Sequence, residues 1–177
     1  GTLFDVNSAA EKCKDKIGDK WEKFSNYWRT TQLEYTWLRS LMGRHKDFWE
    51  ITEDSLEKSM ENFKISHSMK DELLDLYKSL STFEEVPETL KILKEKNYKL
   101  AILSNGTPHL LNGLVRNNKL ENLFDDLFSI EEVGIYKPDS KVYGMPTKKY
   151  NIKVNEVAFL SANTCLLYTS DAADDTR

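Results

Sequence analysis
The apolar positions divide the chain into two textures. From about residue 9 to 80 they recur at helical spacing: Ile17, Trp21, Phe24 and Trp28, then Leu33, Trp37 and Leu41, then Leu56, Met60 and Phe63, then Met69, Leu73, Leu76 and Leu80. Steps of three and four place each group on one face of a helix, so this half predicts four amphipathic helices. After Phe83-Glu84-Glu85-Val86-Pro87 the apolar runs shorten to Lys99–Leu103, Asp126–Ile130 and Val157–Ser161, separated by helical spans at 88–97, 107–118 and 139–150. Short runs alternating with helices predict βαβ units and a parallel sheet. The organisation is thus an all-helical block set into an α/β unit. Gly144 and Pro146 interrupt the last helical span. A proline there removes one hydrogen bond and clashes with the carbonyl of Val142, at roughly 3 kcal/mol in a regular helix, which predicts a kink or an early stop.

Composition narrows the function classes. With 177 residues, 40% of them hydrophobic and 31% charged, the chain can bury a real core. The 25 Lys and Arg against 29 Asp and Glu give a net charge of -4, which excludes a basic field for nucleic acid or an anionic membrane. An anionic substrate must therefore be held by a local cation. No apolar run is long enough for a membrane span. Cys13 and Cys165 lie far apart without metal-ligand spacing, which argues against a disulfide framework or a zinc site and fits a reducing cytoplasm.

In open parallel sheets ligands bind beyond the carboxyl ends of the strands. The first short run ends in Ser104-Asn105-Gly106-Thr107-Pro108, where a hydroxyl, an amide and a helix start combine into an anion cradle. The second leads to Gly134-Ile135-Tyr136-Lys137-Pro138-Asp139, which holds Lys137 just before a proline and an N-cap Asp139, a fixed place for a lysine. The third ends in Ser161-Ala162-Asn163. Each segment alone has an ordinary reading, as a turn, a solvated lysine or a strand end. Together on one sheet edge they mark a site.

These segments carry a resemblance. GTLFDV, WRTTQLEYTWLRSLMGRHKDFW at 28–49, LAILSNGTPHLL at 100–111, GIYKPDSKVY at 134–143 and EVAFLSAN at 156–163 resemble the haloacid dehalogenase superfamily and, more narrowly, its metal-free (S)-2-haloacid dehalogenases. The resemblance runs from Gly1 to about Asn163. SNG and KPD occur across the superfamily, phosphatases included, whereas the WRxxQLEYTWLRSLM stretch belongs to the helical cap of the dehalogenases. The resemblance implies an α/β, Rossmann-like parallel-sheet core formed by 1–5 and 86–164, with an inserted helical cap of the four-helix type at 6–85.

The resemblance also implies roles. Gly-Thr-Leu follows Phe-Asp-x-Tyr in this family, and that Asp is the nucleophile, so it is expected just upstream of Gly1 together with the first strand. The chain as given is then expected to be inactive. Residues 165–177 match the translation of a sequencing-library adapter, in place of the family's Trp-Asp continuation, whose Asp helps activate water. By the resemblance Arg29 receives the halide with Asn105, while Ser104 and Lys137 hold the substrate carboxylate and Lys137 orients the nucleophile. Thr2, Ser161 and Asn163 position the hydrolytic water, Tyr143 supports the site, and Leu33 and Phe48 wall the alkyl group. His45, His67 and His109 match no family role and are expected on the surface. The implied substrate is a small-molecule 2-haloalkanoic acid, with no cofactor and no metal, and the implied assembly is a homodimer through the cap. Two other readings share parts of the pattern: a superfamily phosphatase using Ser104, Lys137 and magnesium, and a non-catalytic helical module that binds a partner or self-associates.

Overall fold
A computed structural model describes residues 2–163 and Leu166. Its first half is helical: α1 (Ser8–Lys12), α2 (Lys14–Ile17), α3 (Trp21–Met42), α4 (Phe48–Phe63) and α5 (Lys70–Tyr77). The four expected helices are thus redistributed into five. Gly18, at φ +75°, ends α2 after Ile17, and no glycine or proline interrupts the next 22 residues, so the Trp21 and Leu33 groups fuse into one helix. Gly43 stops α3 in the left-handed conformation, and the Asp47 carboxylate caps α4 by accepting from the Glu50 amide at 2.9 Å.

Helices α3 and α4 pack antiparallel, since Phe24 meets Phe63 edge to face at 5.9 Å while Trp28, further along α3, donates its indole N–H to the earlier Thr52 carbonyl at 3.1 Å. Small polar residues, Ser25, Thr31, Gln32, Thr36, Thr52, Ser55 and Ser59, are buried with the aromatics. Burying hydroxyls is tolerable only when they are bonded. Thr52, Ser55 and Ser59 donate to the carbonyls of Phe48, Thr52 and Ser55, and Ser25 donates to Asn7 Oδ1.

The second half contains α6 (Val86–Glu95), β1 (Ala101–Ser104), α7 (Pro108–Asn117), β2 (Asp126–Ser129) and α8 (Ser140–Tyr150). β1 and β2 are parallel, in register from Ala101 opposite Asp126 to Ser104 opposite Ser129. Val86, Leu90, Ile102, Leu111, Val115 and Leu120 form one apolar cluster. A larger one joins the helical half to Leu110, Leu114, Phe128, Ile130 and Val142. Phe4 bridges antiparallel to Thr82, tying the start of the chain to the end of the helical block.

Two expectations are corrected here. The run Val157–Ser161 forms no strand among the described residues: a strand is defined by its ladder, no neighbouring strand pairs with it, and Leu160 stays 76% exposed. Helix α8 runs through Pro146 to Tyr150, so the early stop does not occur. Buried Val142 and Met145 hold it in place, and Tyr150 at its end donates to Asp126 and meets Phe128 edge to face, so packing outweighs the lost hydrogen bond. The adapter reading of 165–177 falls outside the described residues except at Leu166, which is buried and donates its amide to the Asn163 carbonyl at 3.0 Å.

Candidate active site
The carboxyl end of β1 gathers the first group of residues. Ser104 closes the strand, and its Oγ accepts the Gly106 amide at 3.0 Å. A Cβ on Gly106 would lie 3.3 Å from that same Oγ, which explains glycine at this position. The Gly106 carbonyl accepts from Ser129 Oγ at the end of β2, which ties the two strand ends together. Asn105 Oδ1 accepts the Lys137 amide at 3.4 Å, and Lys137 Nζ donates to the Leu103 carbonyl at 2.9 Å. The Thr107 hydroxyl accepts the Leu110 amide and caps α7, as Asp139 caps α8, so both predicted helix starts are present.

The Lys137 ammonium is turned inward, 5.9 Å from the centre of the Phe159 ring. Burial, followed by the nearby Arg29 guanidinium, pushes it down to about 8 from an ordinary 10.5. This shift places Arg29 within electrostatic reach of Lys137, although it comes from α3. No carboxylate among the described residues pairs with either cation. The site is a positively charged place at a strand end.

The unfolded chain holds the Lys137 proton up to 10.5 and the folded chain only to about 8, so folding expels a proton between those values. The stability of the chain Gly1–Arg177 relative to its Lys137→Met variant should therefore rise from about pH 8 to about pH 10.5 in urea unfolding, and a fall would contradict the inward placement of the ammonium.

The remaining expected residues fall into four places. Tyr143, on α8, meets Phe159 edge to face at 5.2 Å, and its buried hydroxyl has no hydrogen-bond partner among the described residues. Burial raises that phenol to about 12, so it stays protonated. Thr2, exposed, accepts the Ala162 amide at 2.9 Å, and Ser161 Oγ accepts the Asn163 amide at 3.1 Å, which draws Thr2, Ser161 and Asn163 into one corner. Leu33 lies one turn beyond Arg29 on α3, half-buried, with its carbonyl bonded only within its own helix. Phe48 is 5% exposed, and its amide donates to Glu131 Oε1 at 3.2 Å.

Sequence reasoning missed several contributors. Phe159 lines Lys137 and Tyr143; its place two and four residues before Ser161 and Asn163, on one side of an extended chain, was the available signal. Glu131 also meets His45 Nε2 at 2.7 Å, and Tyr136 donates from its hydroxyl to the Lys46 carbonyl while its ring lies 5.2 Å from His45. This clasp fixes the corner between α3 and α4 against the segment that carries Lys137, and it gives His45 a contact that a bare surface position lacks. Nothing in the local pattern marks it, since it joins residues some 90 positions apart. Gln32, which accepts from Arg29, was quoted only as part of a motif.

The chain is similar to known hydrolases over most of its length. Residues 1–163 match the haloacid dehalogenase-like hydrolase family. The chain is 41% identical over 165 residues to (S)-2-haloacid dehalogenase 1 of Pseudomonas sp. strain CBS-3, covering 92% of this chain and 73% of that one. It is 38% identical to (S)-2-haloacid dehalogenase 4A of Burkholderia cepacia, at 92% and 71% coverage. Among solved structures, a dehalogenase superimposes with a TM-score of 0.93 at 37% identity, over 96% of this chain and 76% of that one. The L-2-haloacid dehalogenase of Xanthobacter autotrophicus with chloropropionic acid covalently bound superimposes with a TM-score of 0.88 at 32% identity, over 98% and 70%. The α/β core with its helical block is thus the dehalogenase fold, and the chain belongs to the haloacid dehalogenase-like hydrolase family, in its group of (S)-2-haloacid dehalogenases.

Proposed function
We propose that the protein hydrolyses (S)-2-haloalkanoic acids to (R)-2-hydroxy acids through an ester on an aspartate that precedes Gly1. The observation that carries this reading is the inward Lys137 ammonium, bonded to the Leu103 carbonyl at the end of β1, with Arg29 of α3 near enough to act on its charge and no carboxylate of the described residues paired to either. Two half-buried like charges without an anionic partner are costly alone, and they favour a place where a carboxylate nucleophile, a substrate carboxylate and a departing halide must all be neutralised. The covalent chloropropionic acid adduct of the Xanthobacter protein supports the ester step.

The steps balance as follows. The aspartate oxygen attacks C2 from behind the carbon–halogen bond, which breaks and sends the halide to Arg29, helped by Asn105. Lys137 and Ser104 hold the substrate carboxylate, and Lys137 keeps the attacking oxygen aligned. Water held near Thr2, Ser161 and Asn163 then adds to the ester carbonyl on the enzyme, releasing the 2-hydroxy acid and restoring the aspartate with one oxygen from water. C2 is inverted once and is not touched again. Leu33 and Phe48 wall the alkyl group, and Tyr143 supports the floor with Phe159. In this reading 6–85 is a cap on a core made of 1–5 and 86–164, and the given chain, without the nucleophile, is inactive. A single turnover of the full-length protein in H₂¹⁸O should place label in a protein carboxylate and none in the first product. Label in that product would require direct attack by water.

A homodimer through the cap belongs to the same proposal. Along the second half of α3, Leu38, Leu41 and Met42 are 51%, 84% and 56% exposed, an apolar strip left open among the described residues. The full-length protein should weigh twice its chain mass in light scattering at micromolar concentration, and Leu41→Glu should halve that mass with turnover retained. A monomeric parent would contradict the dimer. Among the described residues no helix is long and apolar enough to cross a membrane, and we place the protein in the cytoplasm, where Cys13, buried and unpaired, stays reduced.

A further inference from the structure
Gln32 is 1% exposed, and each polar atom of its amide is engaged. Oε1 accepts from Arg29 Nη1 at 2.6 Å and from the Tyr77 hydroxyl at 3.3 Å. Nε2 donates to Thr52 Oγ1 at 2.6 Å and to the Tyr77 oxygen at 3.1 Å. The orientation of the amide is forced. Thr52 spends its hydroxyl proton on the Phe48 carbonyl at 2.7 Å, so toward Gln32 it can only accept, and Arg29 can only donate. The amide must therefore turn its NH₂ to Thr52 and its oxygen to Arg29. Thr52 stands on α4 and Tyr77 on α5, so three helices fix the position of one oxygen atom.

The chemistry of that oxygen matters as much as its place. A carboxylate here would hold Arg29 more tightly but would cancel its charge, and a site that must attract a halide cannot spend the charge internally. A neutral amide holds one edge of the guanidinium and leaves the charge available. We propose that Gln32 is the positioning residue for Arg29, an uncharged acceptor that aims the guanidinium toward the halide without neutralising it. This rests on the reading of Arg29 as the halide acceptor.

The test uses the full-length enzyme with (S)-2-chloropropionate and (S)-2-bromopropionate, and the variants Gln32→Met, Gln32→Glu, Arg29→Ala and the double variants. Gln32→Met removes the acceptor and should lower kcat about tenfold, whereas Gln32→Glu keeps the shape, adds the charge and should lower it about a hundredfold, with KM within about threefold of the parent in both. The inhibition constant of bromide should rise in the same order, and the chloride substrate should suffer more than the bromide substrate because its leaving group needs more help. In the Arg29→Ala background either Gln32 change should add less than about twofold, since the residue acts through Arg29. A merely structural role would change melting temperature but neither bromide inhibition nor the leaving-group ratio. A Gln32→Glu enzyme with parental turnover and bromide inhibition, beside an inactive Arg29→Ala, would overturn this inference alone. Full activity in Arg29→Ala would overturn both it and the reading beneath it.

Discussion
Replacing Lys137 with alanine in the full-length enzyme should lower kcat about a thousandfold and raise KM for (S)-2-chloropropionate by about tenfold or more, because in the proposed reaction one ammonium serves two ends. It neutralises the substrate carboxylate, which is a ground-state contact and appears in KM. It also keeps the attacking carboxylate aligned, which appears in kcat. The structure gives the ammonium a fixed post: Nζ is bonded to the Leu103 carbonyl, the backbone amide to Asn105, and the Phe159 ring lies beneath. Arginine should rescue poorly, since its planar fork does not fit a place built around a point charge. Circular dichroism should show an unchanged helical signal, and a variant with parental kcat would remove Lys137 from the reaction.

Arg29→Ala should lower kcat by about a hundredfold or more with little change in KM, since the halide gathers its charge only as the carbon–halogen bond breaks. The fold should survive, because the Arg29 bond to Gln32 is one of several that Gln32 makes and the apolar stripe of α3 does not include Arg29. Arg29→Lys should recover little of the loss, as a lysine cannot bond Gln32 and a halide through one planar edge. Steady-state halide release read with a chloride electrode decides it.

Much of this was legible in the chain because it depends on local spacing. The apolar period of Phe24, Trp28, Leu56 and Met60 marks the buried faces of α3 and α4, and Thr107 and Asp139 announce the starts of α7 and α8. The polar end of β1 is joined to the segment that carries Lys137, through the Asn105 side chain and the Leu103 carbonyl. What was not legible depends on partners distant in sequence. Val157–Ser161 has the composition of a strand, yet a ladder needs a neighbour that no local pattern can supply. Pro146 carries a local signal for a break that distant contacts of Val142, Met145 and Tyr150 override. The same holds for Gln32 and Glu131, whose value lies in what they hold: an amide on a helix and a carboxylate after a strand are ordinary until Arg29, Phe48 and His45 are found against them.

The configuration of the product tests the central claim most directly. Full-length enzyme given (S)-2-chloropropionate in EDTA should release chloride and yield (R)-2-hydroxypropionate, resolved by chiral chromatography, because a carboxylate attacks C2 once from behind the halide and water then attacks only the ester carbonyl. In the proposed reaction Lys137 and Arg29 supply the positive charge, so the chelator should leave the rate unchanged. Retained configuration would contradict the ester mechanism, and activity that appears only with magnesium and phosphate esters would contradict the dehalogenase reading of the site.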